Sequence, residues 1–286
     1  MLYSNVENFN DSNIVLLGVP DESKSKASRK GTSNGPNQFR ESLFASENFE
    51  RAGKIIPICP IKGSLYNKKV LDMGNVRRED LYDKISNIIS NIKIPIVIGG
   101  DHSITTTTLH AINNVTEKKI NLIYFDAHPD FVTSTKDYYG SVVSDSLDCI
   151  DIKRSMFIGL RACEEEEVFN IGHYGANIIN PIDIQEYGAK QVLNKINEIC
   201  IRNSDNNIYI SIDLDCLDPA FAPGVSVPTP CGINPLELTF FIQQILTKTK
   251  IIGCDIVELS PSFDINNITA NFAARLFKEI LGSIIV

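Results

Sequence analysis

The chain has 286 residues, 43% of them hydrophobic, and a formal net charge of −8. That composition supports a sizeable core and argues against a disordered chain, and without a Lys/Arg block a nucleic-acid partner is disfavoured. Seven scattered cysteines with no CxxC read as reduced thiols rather than a disulfide framework or a zinc site. The polar N-terminus lacks a signal-peptide core, and no apolar run nears the ~20 residues of a bilayer span. A soluble cytoplasmic protein with no membrane partner is therefore expected.

In chain order, Ile14 to Pro20 reads as the first strand, and a loop at Asn34-Gly35-Pro36 precedes a short helix around Gln38 to Leu43. Arg78 to Ile92 places Leu81, Ile85, Ile88, Ile89 and Ile92 at helical spacing. Strand Ile94 to Ile98, helix Ile104 to Ile112 and strand Ile120 to Phe125 follow. Phe131 to Asp151 is polar and reads as a long active-site loop leading into a helix. Strand Ser155 to Leu160, helix Ala189 to Ile201 and strand Ile208 to Leu214 come next. After the Pro/Gly loop Pro219 to Pro235, helix Leu236 to Leu246, strand Ile251 to Val257 and helix Thr269 to Ile280 close the chain. Alternating apolar strands and helices argue for a mostly parallel sheet covered on both faces. With no composition break, residues 1–286 read as a single domain.

Three of these strands end in acidic and histidine residues. GGDHS supplies His102, DAHPD supplies Asp126, His128 and Asp130, and SIDLDCLDP supplies Asp213 and Asp215. In an extended chain, residues spaced by two point to the same side. Gly99-Gly100 lets the backbone approach a crowded centre. Four buried carboxylates are costly without counter-charge, and two divalent cations would supply it. An oxygen-rich set with imidazole and no thiolate suits Mn²⁺ better than structural zinc, leaving Fe, Co, Ni and Zn open. Asp218 reads as a turn cap, Asp101 as a support behind the ligands or a backbone anchor, and His110 as packing or surface. His173 reads as part of a surface turn, and Glu164 to Glu167 as a solvated helix start.

GGDHS, DAHPD and SIDLDCLDPAFAPG resemble the three signatures of the ureohydrolase (arginase/agmatinase) family. LGVPDES…KGTSNGPNQFRES, DIVELSPSFD and ITANFAARLFKEIL extend the likeness over nearly the whole chain. The resemblance implies a three-layer α/β/α fold with an eight-stranded, mostly parallel sheet, assembled as a homotrimer or homohexamer. It also implies a binuclear manganese centre, two Mn²⁺ per chain, that hydrolyses guanidino groups. By motif, Asp126 and Asp213 would bridge the ions, His102 and Asp130 would complete one site, and His128 and Asp215 the other. Asp130 would accept the nucleophile's proton, and Glu258 would pair with the guanidinium.

The family's loop histidine after DAHxD, often followed by a small residue, has no counterpart between Asp130 and Ile150. Alignment of YYGSVVSDS places Asp145 there, with Ser144 and Ser146 nearby, and Asp145 is expected to bind a cationic substrate tail, with catalytic acid–base work in the histidine's place as the alternative. The loop PGVSVPTPCG also departs from the family pattern. Asp137, Asp145 and Asp148 suit a cation, and the loop lacks the arginase asparagine pattern. The expected substrate is therefore agmatine, giving urea and putrescine in polyamine biosynthesis. Arginine, guanidinobutyrate, formiminoglutamate or guanidine are the alternatives, as is a non-catalytic metal-binding homologue. A deacetylase on a related fold is disfavoured, because that chemistry uses paired histidines and this chain has none adjacent.

Overall fold

The computed structural model describes residues 5–202 and 207–286. In chain order the elements are β1 (Ile14–Gly18), α1 (Gly35–Ser46), β2 (Asn48–Arg51), β3 (Lys54–Pro57), β4 (Val70–Asn75), α2 (Arg78–Ser90), β5 (Ile94–Ile98) and α3 (Ile104–Thr116). Then come β6 (Asn121–Phe125), α4 (Val142–Asp145), β7 (Met156–Ile158), α5 (Glu165–Tyr174), β8 (Asn177–Ile179), α6 (Pro181–Tyr187) and α7 (Ala189–Ile196). The last are β9 (Ile208–Asp213), α8 (Pro235–Leu246), β10 (Gly253–Val257) and α9 (Ile268–Ser283).

Eight strands form one sheet in the order β4-β1-β5-β10-β9-β6-β7-β8, and every pairing in it is parallel. β2 and β3 make a separate antiparallel hairpin. Period-two alternation splits the apolar strand residues between two cores. Ile14, Leu16, Ile96, Ile98, Ile123, Phe125, Ile210 and Ile212 face one layer with α1, α7, α8 and α9. Val15, Leu17, Val97, Leu122, Tyr124, Tyr209 and Val257 face the other with α2, α3 and α4. A sheet buried on both faces explains why its central strands are continuous apolar runs. The result is the expected three-layer α/β/α architecture.

Both edge strands, β4 and β8, are absent from the sequence reading, as are α6 and the hairpin, and of α5 only the start at Glu164 to Glu167 is read. Both edges are only partly buried, and β8 has just three residues, so they carry no continuous apolar run. His173 lies in the last turn of α5 rather than in a loop. The helix starting at Ala189 ends at Ile196 and passes into a π-turn over Asn197–Ile201. The four central strands, β5-β10-β9-β6, are neighbours in the sheet, and all of the strand-end motifs lie just beyond their C-terminal ends. This is where open α/β sheets bind ligands.

Candidate active site

His102 follows β5 through Gly99-Gly100. A Cβ on Gly100 would lie 1.9 Å from Asp21 O, and one on Gly99 would lie 2.8 Å from Val257 Cγ1. Only glycine fits this approach, as the sequence indicated. Asp126, His128 and Asp130 follow β6. Asp213 ends β9, and Asp215 lies in the 3₁₀ turn Leu214–Cys216. The side chains converge, but not through the extended-chain alternation expected of their spacing. Asp213 and Asp215 meet because Asp215 N donates to Asp213 Oδ1 at 2.7 Å. Asp130 swings inward through a left-handed backbone, φ 48°. Glu258, after β10, has φ 65°. Left-handed φ is uncommon outside glycine, and strain of this kind is stored at functional sites.

Three of the aspartates use one oxygen as an anchor. Asp126 Oδ1 accepts from His128 N at 2.6 Å, Asp213 Oδ1 from Asp215 N, and Asp215 Oδ1 from Ala127 N at 3.1 Å. The other oxygens point at the imidazoles. His102 Nδ1 lies 3.0 Å from Asp126 Oδ2, 3.2 Å from Asp213 Oδ2 and 3.3 Å from Asp130 Oδ2. His128 Nδ1 lies 3.1 Å from Asp215 Oδ2 and 3.4 Å from Asp126 Oδ1. Two three-residue donor groups result, His102–Asp126–Asp213 and Asp126–His128–Asp215, and Asp126 belongs to both.

Hydrogen-bond directions test whether these donors suit a cation. Ser211 Oγ donates its hydrogen to Asp255 Oδ1 at 2.7 Å, so it accepts from His102 Nε2–H at 2.8 Å. Asp255 is fixed in turn by Thr105 and Tyr209. A neutral His102 therefore turns the lone pair of Nδ1 toward carboxylate oxygens, an arrangement that requires a proton or a metal ion between them. An orienting partner on the remote imidazole nitrogen is the usual support of a metal-binding histidine. Electrostatics agree. Burial opposes charge on His102, yet contacts with Asp126, Asp130 and Asp213 prevail and hold its pKa well above the ordinary value. Burial pushes Asp213 and Asp130 upward. It also works to raise Asp215, but His128 holds that carboxyl below its ordinary value. The residues fit divalent cations.

The centre lies in a cavity of about 130 Å³ lined also by Tyr138, Tyr139, Glu164, Glu167, Ser226 and Glu258. No lysine or arginine is among its described lining residues. Glu258 is buried; its Oε1 accepts from His102 N at 2.9 Å and its Oε2 from the Ser226 hydroxyl. Burial first, and Asp101 next, push the Glu258 carboxyl up to about 8.

Asp145 is not among the residues lining the cavity, contrary to expectation. It ends α4, and its Oδ2 accepts from Asp137 N at 2.8 Å and Ser141 Oγ at 2.6 Å. The carboxylate braces the loop from behind, and Tyr139-Gly140 on that loop stands in the cavity instead. The missed signal was a bulky side chain followed by a small residue, the pattern described for the family histidine. Glu166 and Glu167 are likewise more than a solvated helix start. Glu166 accepts from Thr133 N and Ser134 N, each at 2.7 Å, and Glu167 from Phe131 N at 3.0 Å. They tie down the loop after DAHPD. Asp218 caps its turn through Ala220 N and Gly232 N, and Asp101 anchors Lys24 N and Ser103 N. His110 is engaged by Cys149 Sγ and Asp145 O.

Burial pushes Glu167 up to about 7, above its unfolded value of 4.5, which gives a signed prediction. Its contribution to stability is complete below pH 4.5 and is lost as pH rises through about 7. The fall in melting temperature between pH 5 and pH 8 should therefore be smaller in Glu167→Gln than in the unmodified protein. Equal falls in differential scanning fluorimetry would remove Glu167 as the source.

A buried carboxylate–imidazole centre at the end of a parallel α/β/α sheet defines a metal-dependent hydrolase. The arginase family model matches residues 12–282, and the chain belongs to the arginase family, hydrolases acting on amidino C–N bonds of small guanidino substrates. It is 33% identical over 281 residues to the agmatinase of Blochmanniella floridana, covering 93% of this chain and 86% of that protein. It is 31% identical over 277 residues to an uncharacterized 32.2 kDa protein of Methanothermus fervidus, covering 94% and 91%. The crystal structure of agmatine ureohydrolase of Thermoplasma volcanium superposes with a TM-score of 0.80 at 27% identity, covering 98% of this chain and 92% of that one. Among the described residues, no helix is long and apolar enough to cross a membrane.

Proposed function

We propose that this chain hydrolyses agmatine to urea and putrescine with two Mn²⁺ ions per chain. The observation that carries the reading is Asp126, shared by two donor groups, with Glu258 in the same cavity. His102, Asp126, Asp130 and Asp213 would hold one ion, and Asp126, His128, Asp213 and Asp215 the other. Bound there, such ions would lower the pKa of a water and so supply hydroxide near neutral pH. Glu258 accepts hydrogen bonds from the guanidinium and orients its carbon for attack. Asp130, with Tyr124 OH 2.5 Å from its Oδ2, takes the proton released by the attacking water. The departing amine is protonated and leaves through the mouth.

The tail argues for agmatine. Exposed Glu164 and buried Glu167 line the cavity and no described lysine or arginine does, so an ammonium-ended tail is favoured and the carboxylate of arginine is opposed. The agmatinase relative at 33% identity supports the same choice. We place the reaction in polyamine biosynthesis in the cytoplasm, on a homotrimer or homohexamer, with residues 1–286 acting as one domain.

The test is product release from agmatine, arginine, guanidinobutyrate, formiminoglutamate and guanidine by the Mn²⁺-loaded protein. Urea is assayed for all but formiminoglutamate, for which formamide is followed. Agmatine should exceed arginine in kcat/KM by about tenfold or more, the worth of one modest charge contact. Preference for a carboxylate-bearing substrate would reject the assignment, and no product from any of them would return the chain to a non-catalytic metal-binding role.

A further inference from the structure

We infer that the Tyr139 hydroxyl binds the substrate directly, hydrogen-bonding the guanidino nitrogen that carries the tail; this rests on the guanidino-hydrolase reading above. Tyr139 opens the 3₁₀ turn Tyr139–Ser141, and the turn is firmly built. The Asp145 carboxylate holds it through Asp137 N and Ser141 Oγ. Val132 N donates to Gly140 O at 3.3 Å, and Tyr139 N to Lys24 O at 3.4 Å. The Tyr138 side chain folds over Gly140, where a Cβ would lie 2.7 Å from Tyr138 OH and would have to displace that ring. The turn presents a half-buried Tyr139 to the cavity shared with Asp130, His128, Asp215 and Glu258. The Tyr139 hydroxyl has no hydrogen-bond partner among the described residues. Burial first, and then Glu258 and Asp130, push its pKa upward, so the phenol is neutral.

The reaction needs such a group. In the planar guanidinium, the tail nitrogen offers only an N–H. Once water has added to the carbon, the same nitrogen is pyramidal and carries a lone pair that requires a donor. Ionised carboxylates only accept, so Asp215, Glu164 and Glu258 in that form cannot meet the second demand, and Asp130 becomes a donor only by holding the water's proton. The Ser226 hydrogen goes to Glu258, and the Tyr138 hydroxyl lies over Gly140. A phenol accepts in the first state and donates in the second by rotating one O–H bond. Tyr139 is more exposed than the deeply buried Glu258, which suits a contact on the tail side.

Tyr139→Phe keeps the ring and removes only the hydroxyl. It is assayed on whichever guanidino compound the unmodified protein hydrolyses, with Mn²⁺ content and melting temperature measured alongside. The expected result is a fall in kcat of about 10²-fold, as for loss of one transition-state donor. KM should stay within about threefold, since ground-state binding is mostly retained. Tyr139→His, which restores a donor and acceptor, should exceed Tyr139→Phe in kcat by about tenfold. A Tyr139→Phe kcat close to that of the unmodified protein, a loss confined to KM, or a Tyr139→His no better than Tyr139→Phe overturns the inference. An unmodified protein that releases no product from any compound removes the parent reading together with this one, an outcome distinct from an active enzyme indifferent to Tyr139→Phe.

Discussion

Asp126→Ala should cost the protein both metal ions at once. Asp126 is common to the two donor groups. Its Oδ2 lies against His102 and its Oδ1 against His128, so its loss removes a donor from each group. Metal analysis after Mn²⁺ loading and desalting should fall from about two ions per chain, the stoichiometry of a two-metal hydrolase, to well under one. Turnover should fall by more than about 10²-fold, the usual cost of removing one preorganised electrostatic group. A second readout needs no substrate. Ions that bind only the folded state raise its stability by mass action, so Mn²⁺ should raise the melting temperature of the unmodified protein and leave Asp126→Ala nearly unmoved. Asp215→Ala, which touches one donor group only, should keep one ion. Full metal content in Asp126→Ala would leave the shared-ligand geometry without consequence.

How much of this was legible in the sequence follows from burial. β1, β5, β6, β9 and β10 are almost wholly buried, and a strand covered on both faces must be apolar throughout. That signal is local and strong. β4 and β8 have a partly exposed face, so exposed and buried residues mix over a few positions and no clear period survives. The candidate donor groups were legible for a related reason: a buried strand that ends in aspartate and histidine has no apolar explanation. Tyr139 and Asp145 were not. Their facing depends on a 3₁₀ turn followed by α4, which carries Asp145 behind the loop and leaves Tyr139 toward the cavity. Charge made Asp145 the more conspicuous residue, but an acidic side chain on an irregular loop serves equally as a backbone anchor. Ser211 and Asp255, which fix the tautomer of His102, lie inside apolar strands. Only the pairing of β9 with β10 brings them together, and no spacing along one strand encodes that.

Glu258→Gln tests the other half of the chemistry, recognition rather than metal binding. The substitution keeps size and retains an acceptor for His102 N, so the left-handed turn at Glu258 and the approach of β5 to β10 should survive. What it removes is the negative charge that a bound guanidinium would favour on a carboxyl that burial otherwise pushes up to about 8. A guanidinium bound in a buried cavity draws most of its stabilisation from a charged partner. Breaking such a pair on one side costs about 3 kcal/mol, more than a hundredfold in kcat/KM. Manganese content should be unchanged, because Glu258 belongs to neither donor group. The loss should be shared by every guanidino compound, since all present the same head group to Glu258 and differ only in the tail, toward Glu164 and Glu167. Tyr139→Phe separates from it by leaving KM nearly constant, whereas Glu258→Gln weakens the bound ground state as well as the transition state. If Glu258→Gln keeps its kcat/KM within about threefold of the unmodified protein, well short of a lost buried ion pair, then Glu258 only anchors the His102 backbone and the guanidinium is held elsewhere.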